Sequence, residues 1–278
     1  MPEKTDFSII PDQKSILELE REIRFFPTKS KNLQALSSDQ IGQWNRKGYL
    51  GPIDIYPPDE INEIREYFDQ LLATTLAGGF DSYSISSAHL KHAKVWDMLN
   101  NPTLVKIASD LLGENVIGWG SHFFCKLPGD GKSVDWHQDC SYWPLTPSKA
   151  ITVWLAIDDA DQENGCMEVF NGSHVHGLID FEISDTCDSN VLDQSISNPE
   201  KYGEHSLTEL RAGQASIHSD LLVHGSAAND SQRRRCGLTL RYCPADVTAH
   251  LGWNQKGVVV QGTAPAKTWP NAPRPITP

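Results

Sequence analysis

From about Val116 to Gln261 the chain is a succession of short runs rich in β-branched and aromatic residues, cut by clusters of Gly, Pro, Asp and Asn at hairpin-like intervals. Strands are expected near 116–127, 134–138, 150–157, 166–170, 214–218, 235–243 and 257–261. They follow one another without the helical crossovers that parallel strands need, so the sheets must be antiparallel. That pattern constrains the fold to a mainly β sandwich or jelly roll and excludes a doubly wound parallel sheet.

The first 113 residues carry a different rhythm. Ile16, Leu19, Ile23 and Phe26 have the spacing of one buried helix face, and Ser37-Ser38-Asp39 can cap a helix carrying Ile41 and Trp44. Pro57-Pro58 opens a third, with Ile61, Ile64, Phe68, Leu71 and Leu72 as its apolar stripe and Gly78-Gly79 as its end. Two shorter helices follow, broken at Asn100-Asn101-Pro102 and stopped at Gly113. The expected organisation is one domain over 1–278: a mostly helical part (1–113) packed on one sheet, a jelly-roll core (114–262) and a Pro-rich tail (263–278) lying extended on the surface. Within the core, 179–209 is polar and weakly patterned, which reads as a long insertion of the kind that forms lids.

With 24 basic against 36 acidic residues the formal charge is -12, a field that repels phosphate backbones and anionic lipid, so neither nucleic acid nor membrane is an expected partner. The six cysteines (Cys125, Cys140, Cys166, Cys187, Cys236, Cys243) form no Cys-x-x-Cys pair and read as free thiols. Met1-Pro2-Glu3-Lys4-Thr5-Asp6 is no secretory start, and Pro275-Ile276-Thr277-Pro278 is no peroxisomal address. A cytoplasmic location is the expectation, and the sequon-like Asn171-Gly172-Ser173 and Asn229-Asp230-Ser231 carry no weight in it. The sequence leaves oligomeric state open.

Several motifs dissolve on inspection. Gly129-Asp130-Gly131-Lys132-Ser133 lacks the first glycine of a phosphate loop and reads as a hairpin turn. The acidic residues of 158–165 miss calcium-loop spacing and read as a solvated turn. No Gly-x-Ser-x-Gly elbow offers a serine nucleophile.

Trp136-His137-Gln138-Asp139 is the informative stretch, because residues two apart on an extended strand share a face and deliver an imidazole and a carboxylate side by side. Such a pair also arises as a structural histidine bonded to an aspartate. His224, on the short apolar strand Val223-His224-Gly225-Ser226, can supply a third donor, completing a 2-His-1-carboxylate face with open positions for a non-haem Fe(II). Beyond it Arg233 and Arg234 read as a solvated basic run, whereas Arg235, Gly237, Thr239 and Arg241 alternate on one strand, so that Arg235 and Arg241 can share an inward face. A buried guanidinium needs an anion.

These residues resemble the phytanoyl-CoA dioxygenase-like Fe(II)/2-oxoglutarate oxygenases. The likeness runs through Trp136-His137-Gln138-Asp139 with Tyr142-Trp143-Pro144, Val153-Trp154-Leu155-Ala156-Ile157-Asp158, Asn164-Gly165-Cys166-Met167 and Gly172-Ser173-His174, then His224-Gly225-Ser226 and Arg235-Cys236-Gly237-Leu238-Thr239-Leu240-Arg241-Tyr242. The helical entry from Gln40-Ile41 to Gly48-Tyr49-Leu50 is similar to the family's opening segment. The resemblance implies a double-stranded β-helix (jelly roll), iron on His137, Asp139 and His224, and 2-oxoglutarate with its far carboxylate on Arg235. Ser226 would be the second donor to that carboxylate, and Trp154 would line the cosubstrate. His174 matches no metal ligand and is expected to be structural.

What the resemblance implies chemically is oxidation of a C–H bond by O₂, with 2-oxoglutarate leaving as succinate and CO₂ and ascorbate in support. Family members that halogenate replace the ligand carboxylate, and the presence of Asp139 favours hydroxylation, or a related oxidation such as desaturation, over halogenation. Candidates for the substrate pocket are His122, Phe124 and Lys126 on one strand face, with Tyr142, Trp143 and Arg241. The expected substrate is a small, polar, anionic metabolite, organophosphonates included. Two alternatives stand beside it: an acyl-CoA hydroxylase of the same family, and a cupin-like metal- or ligand-binding protein without turnover, against which Arg235 argues.

Overall fold

The computed structural model describes residues 11–183 and 190–277. The expectations for Met1–Asp6, Cys187 and Pro278 therefore lie outside the described residues. The helices are α1 (Gln13–Leu17), α2 (Ser38–Lys47), α3 (Pro58–Ala77), α4 (Ala93–Leu99) and α5 (Pro102–Leu112). The strands are β1 (Tyr49–Asp54), β2 (Val116–Lys126), β3 (Val134–His137), β4 (Leu145–Thr146), β5 (Ile151–Ala156), β6 (Met167–Asn171), β7 (Glu182–Ile183), β8 (Gln194–Ser195), β9 (Glu204–Thr208), β10 (Gln214–Ser219), β11 (His224–Ser226), β12 (Arg235–Pro244), β13 (Thr248–Ala249) and β14 (Val258–Gln261).

A six-stranded sheet runs β1-β10-β5-β12-β2-β14 and a four-stranded sheet runs β3-β11-β6-β9. Every pairing in them is antiparallel, and together they make the jelly roll that the strand spacing demanded. Helices cover the outer face of the larger sheet. They begin and end where local chemistry dictates: Ser37 and Gln40 close a capping box on α2, Gly48 ends it in the left-handed region at φ 68°, and Pro58 opens α3.

Period-two alternation then sorts the larger sheet's side chains. Phe123 and Cys125 of β2, Val153 and Leu155 of β5, Ala215 and Ile217 of β10, and Cys236, Leu238 and Leu240 of β12 join the core under the helices, where Phe68 stacks on Phe123. Their neighbours turn the other way, toward the smaller sheet. That inner face receives Phe124 and Lys126, Thr152 and Trp154, His218, and Arg235, Thr239 and Arg241. The sheet is thus buried on both faces, and its inner face is polar.

Several expectations need correction. The apolar spacing of Ile16 to Phe26 does not make one helix, because α1 stops at Leu17. Beyond it Arg21 donates to the carbonyls of Cys140 and Trp143, and Glu22 bonds Thr146 and Ser148, so the segment is strapped along the jelly roll. β1 interrupts the helical part and forms one edge of the larger sheet. The 179–209 insertion ends in β9, which pairs with β6 along the smaller sheet. Gly129 to Ser133 crosses between the sheets and is no hairpin. In the acidic turn, Asp158 binds Arg65 and Arg234 while Asp161 binds Arg233, so neither the turn nor the two arginines are simply solvated. The tail is mostly exposed, yet Trp269 is buried and its indole donates to the Val247 carbonyl. The five described cysteines are free, and no described helix is long and apolar enough to cross a membrane.

Asp110, 1% exposed on α5, accepts from the amides of Gln34, Ala35 and Leu36, each at 2.8 Å, and so ties the segment that leads into α2 to α5. Replacing it by Ala leaves three amides without their acceptor. Urea unfolding of Asp110→Ala should show a loss of about 3 kcal/mol; a change below ~0.5 kcal/mol would contradict this anchor.

Candidate active site

Two short strands bring the donors together. His137 ends β3 and His224 begins β11, and the antiparallel register places them directly opposite one another. Their rings lie 4.1 Å apart between centroids. Asp139 falls just past the strand, at the start of a single turn of 3₁₀-helix, so the shared face expected of a strand is carried by the extended backbone of Gln138 alone. Gln138 points the opposite way, donating to the carbonyls of Gly177 and Leu221 and accepting from the Ile179 amide. That buried, fully used amide fixes which way His137 and Asp139 face.

One donor atom from each of His137, Asp139 and His224 lies within 4.8 Å of the others, and all three residues are buried. The tautomers are set from behind. His137 Nδ1 is 2.8 Å from the Asp135 carbonyl and His224 Nδ1 is 2.9 Å from that of Leu222, so each Nδ1 is the protonated donor and each Nε2 keeps a free lone pair. Burial pushes both imidazoles below the ordinary histidine range. Burial opposes the charge on Asp139, but the close approach of His218 and neighbouring positive charge, Arg241 included, outweigh it and hold the carboxyl well below its usual range. Two neutral imidazoles and a carboxylate suit a first-row dication such as Fe(II).

Deeper in the barrel sits Arg235, 3% exposed. Its Nη2 lies 3.4 Å from Ser226 Oγ, its Nη1 3.4 Å from the Phe124 carbonyl, and its guanidinium 5.6 Å from the Trp154 ring centre. Its Nε has no hydrogen-bond partner, and among the described residues no carboxylate pairs with it. Such an orphaned buried cation fits the far carboxylate of a dicarboxylate cosubstrate. The Trp154 ring lies flat against β12 because position 237 is glycine: a Cβ there would come within 2.0 Å of the ring.

The six substrate candidates all face the interior but divide between two regions. His122, Phe124, Tyr142, Trp143 and Arg241 line an outer cavity of about 380 Å³ that opens onto His137 and Asp139, with Tyr83, Asn190 and Leu192 at its rim. Lys126 instead lies at the inner end, directly across the sheet from Arg235, with Nζ bonded to the carbonyls of Ser226 and Ala227. Burial and the Arg235 charge push it down to about 7. Burial and the charges of Arg241 and Lys256 push His122 down to about 3, so it enters the cavity wall as a neutral ring. His174 is structural as expected, its Nε2 set 3.3 Å from the Asn45 carbonyl and its ring edge-on to Phe25. Sequence reasoning missed His218 and Thr152, which sit beside Asp139; the alternation within β10 and β5 is the signal that places both on the inner face.

The geometry predicts that a divalent cation stabilises the fold. With Mn(II) or Co(II) at a hundredfold excess over Kd, linkage adds about 2.7 kcal/mol, readable as a rise in Tm. Asp139→Ala should sharply reduce the rise, leaving only what the two histidines supply; an equal rise in that variant would contradict the donor set.

Comparison with known proteins bears on the same residues. The family model described as phytanoyl-CoA dioxygenase (PhyH) matches residues 44–237. A probable alpha-ketoglutarate-dependent hypophosphite dioxygenase from Stutzerimonas stutzeri is 26% identical over 242 residues, covering 79% of this chain and 83% of that protein. Among solved structures, the apo form of the non-heme monooxygenase ThoJ superposes with a TM-score of 0.71 at 23% identity, covering 85% of this chain and 88% of that one. CytC3 with Fe(II) and alpha-ketoglutarate superposes with a TM-score of 0.63 at 22% identity, covering 84% of this chain and 92% of that one. With its fold, its His-Asp-His cluster and a family match over most of its length, the chain belongs to the phytanoyl-CoA dioxygenase (PhyH) family and is an oxygenase of the Fe(II)- and 2-oxoglutarate-dependent kind.

Proposed function

We propose that His137, Asp139 and His224 hold Fe(II), that Arg235 and Ser226 hold the far carboxylate of 2-oxoglutarate, and that the enzyme hydroxylates a C–H bond of a small anionic metabolite, the phosphonates among the candidates. The observation that carries the substrate reading is Arg241. Its Nε is buried without a hydrogen-bond partner, its guanidinium stacks 5.1 Å from the Trp143 ring centre, and among the described residues it has no ion-pair partner.

Charge complementarity makes the point concrete. The charges of a ferrous ion, Asp139, doubly ionised 2-oxoglutarate and Arg235 cancel, while burial draws Lys126 and Lys256 down to about 7. Among the described residues no ion pair offsets the charge of Arg241, and it faces the outer cavity. A substrate with one anionic group, carboxylate or phosphonate, supplies the missing charge and can accept two parallel hydrogen bonds from the guanidinium. A cavity of about 380 Å³ has room for such a molecule. The hypophosphite dioxygenase relative supports the same chemical class.

When bound, the iron and its cosubstrate supply O₂ activation and oxidising power. The chain's own residues do the rest. Arg235, Ser226 and Trp154 fix the cosubstrate, Arg241 orients the substrate's anionic end, and Phe124, Tyr142 and Trp143 wall the cavity against water. A jelly roll that only stored metal would have no use for two further inward guanidinium groups, Arg235 buried and Arg241 half-buried.

Arg235→Lys should raise the 2-oxoglutarate concentration needed by about thirtyfold, the equivalent of one lost charge-assisted bond of ~2 kcal/mol. An unchanged requirement would overturn the Arg235 assignment. Succinate formation coupled to substrate, measured with small phosphonates, amino acids and hydroxy acids beside an acyl-CoA panel, tests the substrate class. Coupling to small anions that Arg241→Gln weakens at least tenfold is expected; coupling to acyl-CoA alone would overturn it.

A further inference from the structure

The inner face holds one more imidazole beside the donors. His218 lies on β10, is 1% exposed, and among the described residues neither of its ring nitrogens has a hydrogen-bond partner. Buried histidines that serve only packing are normally satisfied, so a purely structural role leaves this one unexplained. Its Nε2 stands 3.5 Å from Asp139 Oδ2.

The sheet register explains why it is there. His218 pairs directly with Thr152 on β5, and Thr152 pairs in turn with Arg241 on β12. These three neighbours form one row across three adjacent strands, all on the inner face, and Asp139 sits over the row. Thr152 Oγ1 donates to Asp139 Oδ2 at 2.9 Å. The same oxygen therefore has the Thr152 hydroxyl bonded to it and the His218 ring within 3.5 Å, from adjacent strands, while Oδ1 is turned toward His137, 3.9 Å from its Nε2.

We propose that His218 and Thr152 together clamp Oδ2 of Asp139, so that Asp139 offers a metal only Oδ1. The inference rests on the metal reading above and adds a positioning role to it. A carboxylate free to turn can chelate through both oxygens and occupy a coordination position that a bidentate cosubstrate and O₂ require. With Oδ2 held from the sheet, one oxygen is presented and the remaining positions stay open. The clamp also removes rotational freedom from Asp139 before metal arrives, which raises affinity by preorganisation.

The test is metal affinity, measured with Mn(II) or Co(II) by calorimetry on the whole chain, so that turnover is not the readout. His218→Leu should weaken binding by about 10- to 100-fold, the range for lost outer-shell partners of a metal site. His218→Gln, whose amide nitrogen reaches the place of Nε2, should stay within about threefold of wild type. Thr152→Val should weaken binding in the same sense and keeps the inference testable should the histidine variants fail to fold. In an Asp139→Ala background, where the remaining affinity comes from the two histidines, adding His218→Leu should change nothing further, a non-additivity that general damage to the barrel would not produce. The proposal is overturned if His218→Leu and Thr152→Val bind metal like wild type, if His218→Gln fails as badly as His218→Leu, or if the His218 effect persists undiminished without Asp139. Failure of wild type itself to bind any divalent cation would instead sink the metal reading.

Discussion

Strand β12 is buried on both faces, so every charge it carries must be compensated inside the fold. Its outward residues, Cys236, Leu238, Leu240 and Tyr242, go to the core under the helices. Its inward residues include Arg235 and Arg241, which burial holds below the ordinary range for a guanidinium. Among the described residues neither has a carboxylate bonded to it. Keeping such groups in an interior is destabilising unless anions meet them, and the inner face is arranged around that constraint: Arg235 at one end of the strand, Arg241 on the outer cavity at the other, and the Asp139 carboxylate between.

The smaller sheet completes the site by a single register. Placing His137 opposite His224 brings imidazoles from two strands to within ring contact, and the fully bonded Gln138 fixes the direction in which Asp139 leaves β3. The glycine at 237 plays a comparable part in the other sheet, since only a residue without Cβ lets Trp154 lie along β12 beneath Arg235.

Much of this was legible in the residues themselves, for identifiable reasons. Strand texture and the absence of crossovers imposed the antiparallel double sheet, and the resemblance sharpened it to a jelly roll. His137, Asp139 and Arg235 lie in segments whose alternation declares a face, which is why they are readable without coordinates. What the sequence concealed depends on long-range pairing. Ile16 to Phe26 has helical spacing, but hydrogen bonds from Arg21 and Glu22 to residues more than a hundred positions away hold it as a strap. Lys126 shares a strand face with His122, yet the slant of β2 across the barrel carries it to the inner end beside Arg235. His218 and Thr152 bear no motif, and only the β5–β10 register shows that they address the same oxygen.

The central claim is that the barrel joins a metal face to a dicarboxylate anchor so that one cosubstrate engages both. Anaerobic calorimetric titration of the Fe(II)-loaded protein with 2-oxoglutarate, beside the metal-free protein, tests it most directly. The account predicts one molecule bound per chain, with affinity at least tenfold higher when iron is present and a charge-transfer absorption that grows in step with binding. Equal affinity with and without iron, or no binding in either state, would contradict it.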